Sequence, residues 1–240
     1  MILLGKTDTG IVRPSNQDNF ALREFPDGGS FAIVCDGMGG YAGGNVASEI
    51  AVNVATETVE ASLPVTHPEG VLKNAIDKAN NMIFAATMKD ETLANMGTTA
   101  VAVWVSNGMA TVAHVGDSRA YLFREGCLRQ LTHDHSMVQM MIDNGSITPE
   151  EARTHPYKNV ITRVVGKDTL PEISFVTEVL KAGDAILICT DGLTNMLQDS
   201  EIEGILSAPA EITSAVCDTL IDAANKNGGT DNITAVIMVC

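Results

Sequence analysis

Five aspartates fall where the chain enters or leaves an apolar run. Asp36 follows Phe31-Ala32-Ile33-Val34-Cys35, and Asp191 follows Ala185-Ile186-Leu187-Ile188-Cys189-Thr190. Asp117 follows Val112-Ala113-His114-Val115-Gly116, Asp231-Asn232 precedes Ile233-Thr234-Ala235-Val236-Ile237, and Asn16-Gln17-Asp18 precedes Phe20-Ala21-Leu22. Singly, an Asp beside a small residue is a turn, and Asp27-Gly28 is read that way. If strands of two packed sheets end at one rim, however, the five carboxylates converge. Two carboxylates ~4 Å apart repel by roughly 4 kcal/mol at an effective dielectric of 20. Several such pairs would outweigh a domain's net stability of about 5–15 kcal/mol unless protons or cations relieve them. Divalent cations are the natural relief. All the ligands are oxygen, counting the Gly37 carbonyl if the turn aims it inward, and oxygen sites suit Mg²⁺, Mn²⁺ or Ca²⁺. Two such ions can hold a bridging water, lower its pKa and aim it at phosphorus. Arg13, three residues before Asn16, has the planar fork that grips a phosphate bidentately.

Other chemistries fit less well. His133-Asp134-His135 reads as a polar loop after a strand rather than a zinc site. The Asp-x-Asp-x-Asp-Gly spacing of a calcium sensor is absent. Gly37-Met38-Gly39-Gly40-Tyr41-Ala42 matches the weaker form of the dinucleotide fingerprint, but Asp36 would repel a pyrophosphate and no acid-ended strand follows at the required distance. Gly5-Lys6-Thr7 lacks the upstream glycine of a P-loop. There is no Gly-x-Ser-x-Gly. No Arg stands five residues after any cysteine, which excludes a covalent cysteine phosphatase and leaves direct attack by water.

The elements that must position these acids are mostly strands. Ser30–Cys35, Thr98–Ser106, Met109–Val115, Arg119–Arg124, Ile173–Val179, Ala185–Thr190 and Ile233–Cys240 are short and rich in Val, Ile, Ala and Phe. Asn107-Gly108 supplies the positive φ values of a two-residue hairpin turn. Helices are expected over Val46–Leu63, Val71–Met88, Asp199–Leu206 and Glu211–Lys226, the last stopped at Gly228. Hairpins in the middle with helices before and after give an α+β fold, two antiparallel sheets packed face to face with helices outside. Ser136–Gly166 differs: a short helix at Met137–Asp143, a capped start at Thr148-Pro149-Glu150-Glu151, and a break at His155-Pro156-Tyr157 read as an inserted, partly mobile flap.

Composition agrees. The 240 residues carry 15 Lys+Arg against 30 Asp+Glu, a formal charge of −15 that argues against nucleic acid and anionic membranes. With 45 % hydrophobic and 19 % charged residues the chain is too apolar to be disordered. No apolar run is long enough to span a bilayer, and the N-terminus lacks the features of an export signal. The five cysteines form no Cys-x-x-Cys and are read as reduced, mostly core thiols of a cytoplasmic protein.

Eight motifs now stand in order: Arg13-Pro14-Ser15-Asn16-Gln17-Asp18, Asp36-Gly37-Met38-Gly39-Gly40, Met96-Gly97-Thr98-Thr99, Val115-Gly116-Asp117-Ser118-Arg119, Thr132-His133-Asp134-His135-Ser136, Ile161-Thr162-Arg163-Val164-Val165-Gly166, Thr190-Asp191-Gly192-Leu193 and Gly229-Thr230-Asp231-Asn232-Ile233-Thr234. The series resembles the metal-dependent protein phosphatases of the protein phosphatase 2C type, in their short bacterial form, over residues 1–240. The resemblance implies a four-layer α-β-β-α sandwich, one domain spanning 1–240, and hydrolysis of phosphoserine and phosphothreonine in proteins. It implies that Asp36 bridges two Mn²⁺ or Mg²⁺ ions, that Gly37 offers its carbonyl to one, and that Asp191 and Asp231 hold the other. By the same resemblance Asp117 with Asp191 matches a weaker third metal site, Asp18 would act near the metals through waters, and Arg13 would take the substrate phosphate. Residues 136–166 match the flap beside the site. A Ser/Thr protein kinase and its phosphorylated targets are the implied partners.

The chain also departs from the pattern. Eukaryotic relatives often carry a His, proposed as the general acid, where Met38 stands, and Met38 has no proton to donate. A metal-held water is the remaining candidate. Many bacterial relatives have His and Glu where this chain has Tyr41 and Asn45, so no role of those residues carries over. The competing reading is a non-catalytic module of the same fold that binds phosphoproteins; a nicotinamide-dependent oxidoreductase rests on the Gly-rich turn alone.

Overall fold

The computed structural model describes residues 1–26 and 28–240, with Tyr41 and Ala42 described by their backbone alone. Asp27, where a turn is expected, lies outside the described residues. The strands are β1 (Ile2–Asp8), β2 (Asp18–Glu24), β3 (Ser30–Met38), β4 (Gly97–Thr98), β5 (Ala100–Ser106), β6 (Met109–Val115), β7 (Arg119–Arg124), β8 (Cys127–Gln130), β9 (Ser174–Val179), β10 (Ala185–Cys189) and β11 (Ile233–Val239). The helices are α1 (Gly40–Glu60), α2 (Pro68–Thr87), α3 (Met137–Asp143), α4 (Pro149–Thr154), α5 (Asp191–Thr194), α6 (Asp199–Ser207) and α7 (Ser214–Lys226). One sheet runs β1-β11-β10-β7-β8 and the other β2-β3-β5-β6-β9, with β4 paired to β3. The ladders are antiparallel.

Side-chain alternation builds the layers. In β3, Phe31, Ile33 and Cys35 pack on α1 and α2, while Ala32 and Val34 face the opposite sheet. In β10, Leu187 and Cys189 pack on α6 and α7, while Ile186 and Ile188 face inward to meet Val101, Val103 and Val112. Three apolar cores result, two between sheet and helices and one in the seam between the sheets. Each fully buried Val, Leu or Ile contributes about 1.5–3 kcal/mol. This is the α+β, α-β-β-α sandwich expected from the sequence.

The differences have local causes. The first helix begins at Gly40 rather than Val46, because Gly40, Gly43 and Gly44 are poor helix formers that hide its start. The second begins at Pro68 rather than Val71, with proline in the first turn, where its missing N–H costs nothing. α7 begins at Ser214, not Glu211. Thr98–Ser106 divides into β4 and β5. β3 continues through Asp36 to Met38, so Asp36 lies within the strand and not past its end. The strands β1 and β8 and the single turn α5 were not expected from the sequence, and β2 was marked there only by the apolar run Phe20-Ala21-Leu22. The Asn107-Gly108 hairpin forms as expected, with φ of 52° and 71° and Ser106 paired to Met109.

Between β8 and β9 the chain makes an excursion through α3 and α4. It leaves and returns through the Ser136–Ile161 bridge, and a second bridge joins Thr98 to Val165. Thr148 and Glu151 form the reciprocal cap expected at α4. No helix among the described residues is long and apolar enough to cross a membrane.

Candidate metal centre

The alternation that turns Ala32 and Val34 into the seam carries Asp36 to the same side. Across the β2–β3 ladder Asp36 stands directly opposite Asp18, a like-charge pairing that costs stability. From the other sheet, Thr190 follows the inward-facing Ile186 and Ile188, and Thr234 precedes the inward-facing Val236 and Met238. Both hydroxyls donate to Asp18 Oδ2, Thr190 over 2.8 Å and Thr234 over 2.7 Å. One end of the seam is thus acidic, and a carboxylate of one sheet is held by hydroxyls of the other.

The neighbouring backbone is fixed around it. The Asp36 N–H donates to Thr99 Oγ1 over 2.9 Å, and Thr98 Oγ1 donates to the Asp36 carbonyl over 2.8 Å. Gly37 is buried, and a Cβ there would lie 2.0 Å from the Gly44 carbonyl oxygen. Glycine at both positions lets α1 approach the end of β3. Asp191 opens α5, and Asn195 Nδ2 donates to its Oδ2 over 2.9 Å. Asn232 locks the loop that carries Arg13 to the start of β11. Its side chain accepts from Gln17 N–H over 2.8 Å and donates to the carbonyls of Thr9 and Ser15, each over 2.9 Å.

The electrostatics show that the five acids share one field. Burial, then the charges of Asp191 and Asp231, push Asp18 up to about 7, against the pull of its two threonines. Burial, then Asp231, pushes Asp191 up to about 6. Asp36 is raised well above the carboxylate range, first by burial and then by Asp18, Asp191, Asp117 and Asp231. Asp117 is raised by burial, then by Asp191 and Asp134. The Asp231 side chain is 32 % exposed, and its Oδ2 accepts from Arg13 Nη2 over 2.7 Å. Arg13 is half exposed and lies at the rim, not among the buried acids.

Asp18 Oδ1, Asp117 Oδ1 and Asp191 Oδ1 are buried and have no hydrogen-bond partner. Orphaned acceptors of this kind are rare, and an all-oxygen, anionic donor set fits Mg²⁺ or Mn²⁺. Among the described residues no three His, Cys, Asp or Glu side chains close on one point as a ready-made cage. Mg²⁺ needs none, since it keeps several waters and is held by one or two carboxylates.

Thr190, Thr234 and Asn232 were not singled out as functional residues from the sequence. The signal for the threonines was readable: each is polar at a strand position whose parity is otherwise apolar. Of His133-Asp134-His135, the first two are paired with other side chains. Arg119 clasps Asp134 from Nε and Nη2, at 2.7 to 3.0 Å, and His133 bonds Asp143 at 2.8 Å. Cys35, Cys189 and Cys217 are buried free thiols, whereas Cys127 and Cys240 are free and exposed. A cleft of about 740 Å³ opens beside the acids. Asp117 and Asp191 line it with Arg153 and Lys158 of the excursion and Asp199 of α6. Arg153 closes one side by donating to the carbonyls of Thr194 and Leu197 over 3.3 and 3.4 Å.

Comparison with known proteins bears on this arrangement. The family model described as protein phosphatase 2C matches residues 13–234. The chain is 38 % identical over 236 residues to the serine/threonine phosphatase stp of Listeria welshimeri, covering 97 % of this chain and 93 % of that protein. It superposes on the crystal structure of the serine/threonine phosphatase Stp1 from Staphylococcus aureus with a TM-score of 0.94 and 33 % identity, covering 99 % of this chain and 94 % of that one. The catalytic domain of the serine/threonine protein phosphatase PstP, solved in complex with two manganese ions, matches with a TM-score of 0.85 and 32 % identity over 98 % of this chain and 96 % of that one. Family model, full-length relatives and fold agree, and they favour an enzyme over a binding-only module: the chain belongs to the protein phosphatase 2C family and is a serine/threonine phosphoprotein phosphatase.

Proposed function

We propose that this phosphatase works with Mn²⁺ or Mg²⁺ bound at the five acids. In this reading Asp36, the Gly37 carbonyl, Asp191 and Asp231 would hold two core ions, and Asp117 with Asp191 would hold a third. The observation that carries it is the set of buried, unpartnered carboxylate oxygens on Asp18, Asp117 and Asp191 within a mutually repelling cluster. A similar structure solved with two manganese ions supports it. When bound, such ions supply an activated water and neutralise phosphoryl charge.

The chain's own residues do the positioning. Asp18, fixed by Thr190 and Thr234, keeps Oδ1 free and would order water for the bound ions. Arg13 can pass its fork from Asp231 to two phosphoryl oxygens and hold the phosphorus in line for attack. Met38 cannot protonate the leaving oxygen, so that proton comes from water. The cleft beside Asp117 and Asp191 leaves room for polypeptide on either side of the phosphorylated residue. We read residues 1–240 as one catalytic domain with a flap over 136–166, acting in the cytoplasm on the targets of a Ser/Thr protein kinase.

The test is hydrolysis of p-nitrophenyl phosphate and a phosphothreonine peptide with Mn²⁺, with EDTA, and in Asp36→Asn and Asp231→Asn. Both substrates should be turned over only with metal and only by the unaltered protein. Full activity in EDTA, or native rates in either variant, would sink the reading.

A further inference from the structure

We infer that His135 is a positioning residue for Asp117, through which the return of the 136–166 excursion sets the placement of that acid. The inference rests on the third-site role proposed for Asp117. His135 is the last residue before the excursion begins at Ser136, and it grips Gly116 twice. Its backbone N–H donates to the Gly116 carbonyl over 2.9 Å, and the Gly116 N–H donates to His135 Nδ1 over 3.1 Å. Gly116 directly precedes Asp117. It has φ +104°, and a Cβ there would lie 2.6 Å from Thr99 Cγ2, so only glycine fits between Thr99 and the imidazole. On its far side, the His135 carbonyl accepts from the N–H of Thr162 over 2.8 Å, beside the Ser136–Ile161 bridge. One residue therefore joins the exit of the excursion to the backbone of an acid whose buried Oδ1 has no partner.

The ring is itself held. It stacks on His114 of β6 with centroids 4.6 Å apart and planes 13° from parallel, and its Nε2 lies 3.0 Å from Ser174 Oγ at the start of β9. An amide can only donate, so Nδ1 accepts from Gly116, while Nε2 on the opposite edge also lies 3.0 Å from Arg163 Nη1, which in turn donates to Ser174 Oγ over 3.2 Å. Burial, then His114 and Arg163, holds the ring pKa down to about 3, so the ring stays neutral across the working pH range and Nδ1 stays free to accept. Outer-shell groups fixed in this way commonly govern ligand placement at metal sites.

The test is Mn²⁺ binding to the full chain by isothermal titration calorimetry, for the unaltered protein, His135→Ala, His135→Asn, Asp117→Asn and the His135→Ala/Asp117→Asn pair. His135→Ala should weaken the weakest class of Mn²⁺ site about ten- to a hundred-fold and spare the tighter ones. His135→Asn, whose amide oxygen can accept the Gly116 N–H, should recover most of that loss, and the double variant should bind as Asp117→Asn does. In EDTA, hydrogen exchange should quicken together in peptides covering Gly116 and Thr162 of His135→Ala. An unchanged weak site, equal weakening of every site, or His135→Asn as poor as His135→Ala overturns the inference while leaving the metal reading intact. If the unaltered protein binds no weak Mn²⁺, the role of Asp117 falls first and takes the inference with it. Should His135→Ala not fold, the Ser174→Ala/Arg163→Ala pair, which removes both partners of Nε2, should weaken the same site, and native binding there overturns the inference.

Discussion

Arg13 Nη2 lies 2.7 Å from Asp231 Oδ2, so the cation proposed to take the substrate phosphate rests on an acid proposed as a metal ligand. Either the arginine shares its fork between the acid and the phosphate, or it exchanges one for the other when substrate arrives. In both cases the ion pair sits at an exposed rim, where screening leaves it little worth for stability.

Arg13→Ala should therefore leave the melting temperature almost unchanged while cutting kcat/KM for p-nitrophenyl phosphate by roughly 10²-fold, the scale of one lost transition-state donor. Arg13→Lys should fall between, because it keeps the charge and loses the fork. Steady-state kinetics with calorimetric Mn²⁺ binding separates the roles. Weakened metal affinity in Arg13→Ala, with intact turnover at saturating metal, would place Arg13 in the metal site and not on the phosphate.

Asp36→Asn and Asp191→Asn should abolish turnover and yet raise the melting temperature of the EDTA-treated protein. Each removes one member of a repelling set, and relief of a single contact at ~4 Å amounts to roughly 1–4 kcal/mol for effective dielectrics between 80 and 20. For a chain of this size that is several degrees. Thermal denaturation at pH 8 with and without metal checks it. Variants destabilised in EDTA would mean that these carboxylates hold the fold and not a cation.

The sequence made the acids legible for a simple reason: Asp at the border of an apolar strand breaks a pattern. Ile186-Leu187-Ile188-Cys189 can be nothing but a buried strand, and Asp191 after it has to be explained. What supports those acids breaks the pattern only weakly, a single hydroxyl at an otherwise apolar parity. Thr190 and Thr234 suit strands by their β-branching, so their hydroxyl bonds to Asp18 became visible only when two strands distant in the chain met across the seam. Asn232 resembled an ordinary turn residue. The start of α1 was hidden because the glycines that let Gly37 and Gly44 touch are those that weaken a helical signal. Local propensity reads single elements, whereas contacts between sheets are set by the packing of the whole.

Thr234→Val tests that support directly. Asp18 Oδ2 would keep only the Thr190 hydroxyl, at a cost of about 1.5–3 kcal/mol for a hydrogen bond to a charged group. The two threonines share one acceptor, so the Thr190→Val/Thr234→Val pair should not be additive. Denaturant melts of the single and double variants give the coupling energy. Strict additivity would mean that the hydroxyls do not act on a common carboxylate.

The pH dependence of stability should have an unusual sign above pH 6.5 in metal-free protein. Asp18 is raised from 3.8 to about 7 and Asp191 to about 6, with Asp36 and Asp117 also raised, so between pH 3.8 and those values the folded state binds more protons than the unfolded state. Stability contributed by these groups is present below 3.8 and is lost as pH rises through the folded values. His114, lowered to about 4, and His135, lowered to about 3, act in the opposite sense, since the unfolded chain binds their protons up to pH 6.5. The two sets offset each other in the acid range. Above 6.5 the histidines are neutral in both states and only the acids still titrate, so the melting temperature in EDTA should fall as pH rises further. Metal ligands must be deprotonated, so Mn²⁺ affinity rises with pH over the same interval. With Mn²⁺ present the decline should flatten or reverse, and the difference between the two melting curves should widen with pH. Parallel curves with and without Mn²⁺ would show that protons and metal do not compete for the same carboxylates.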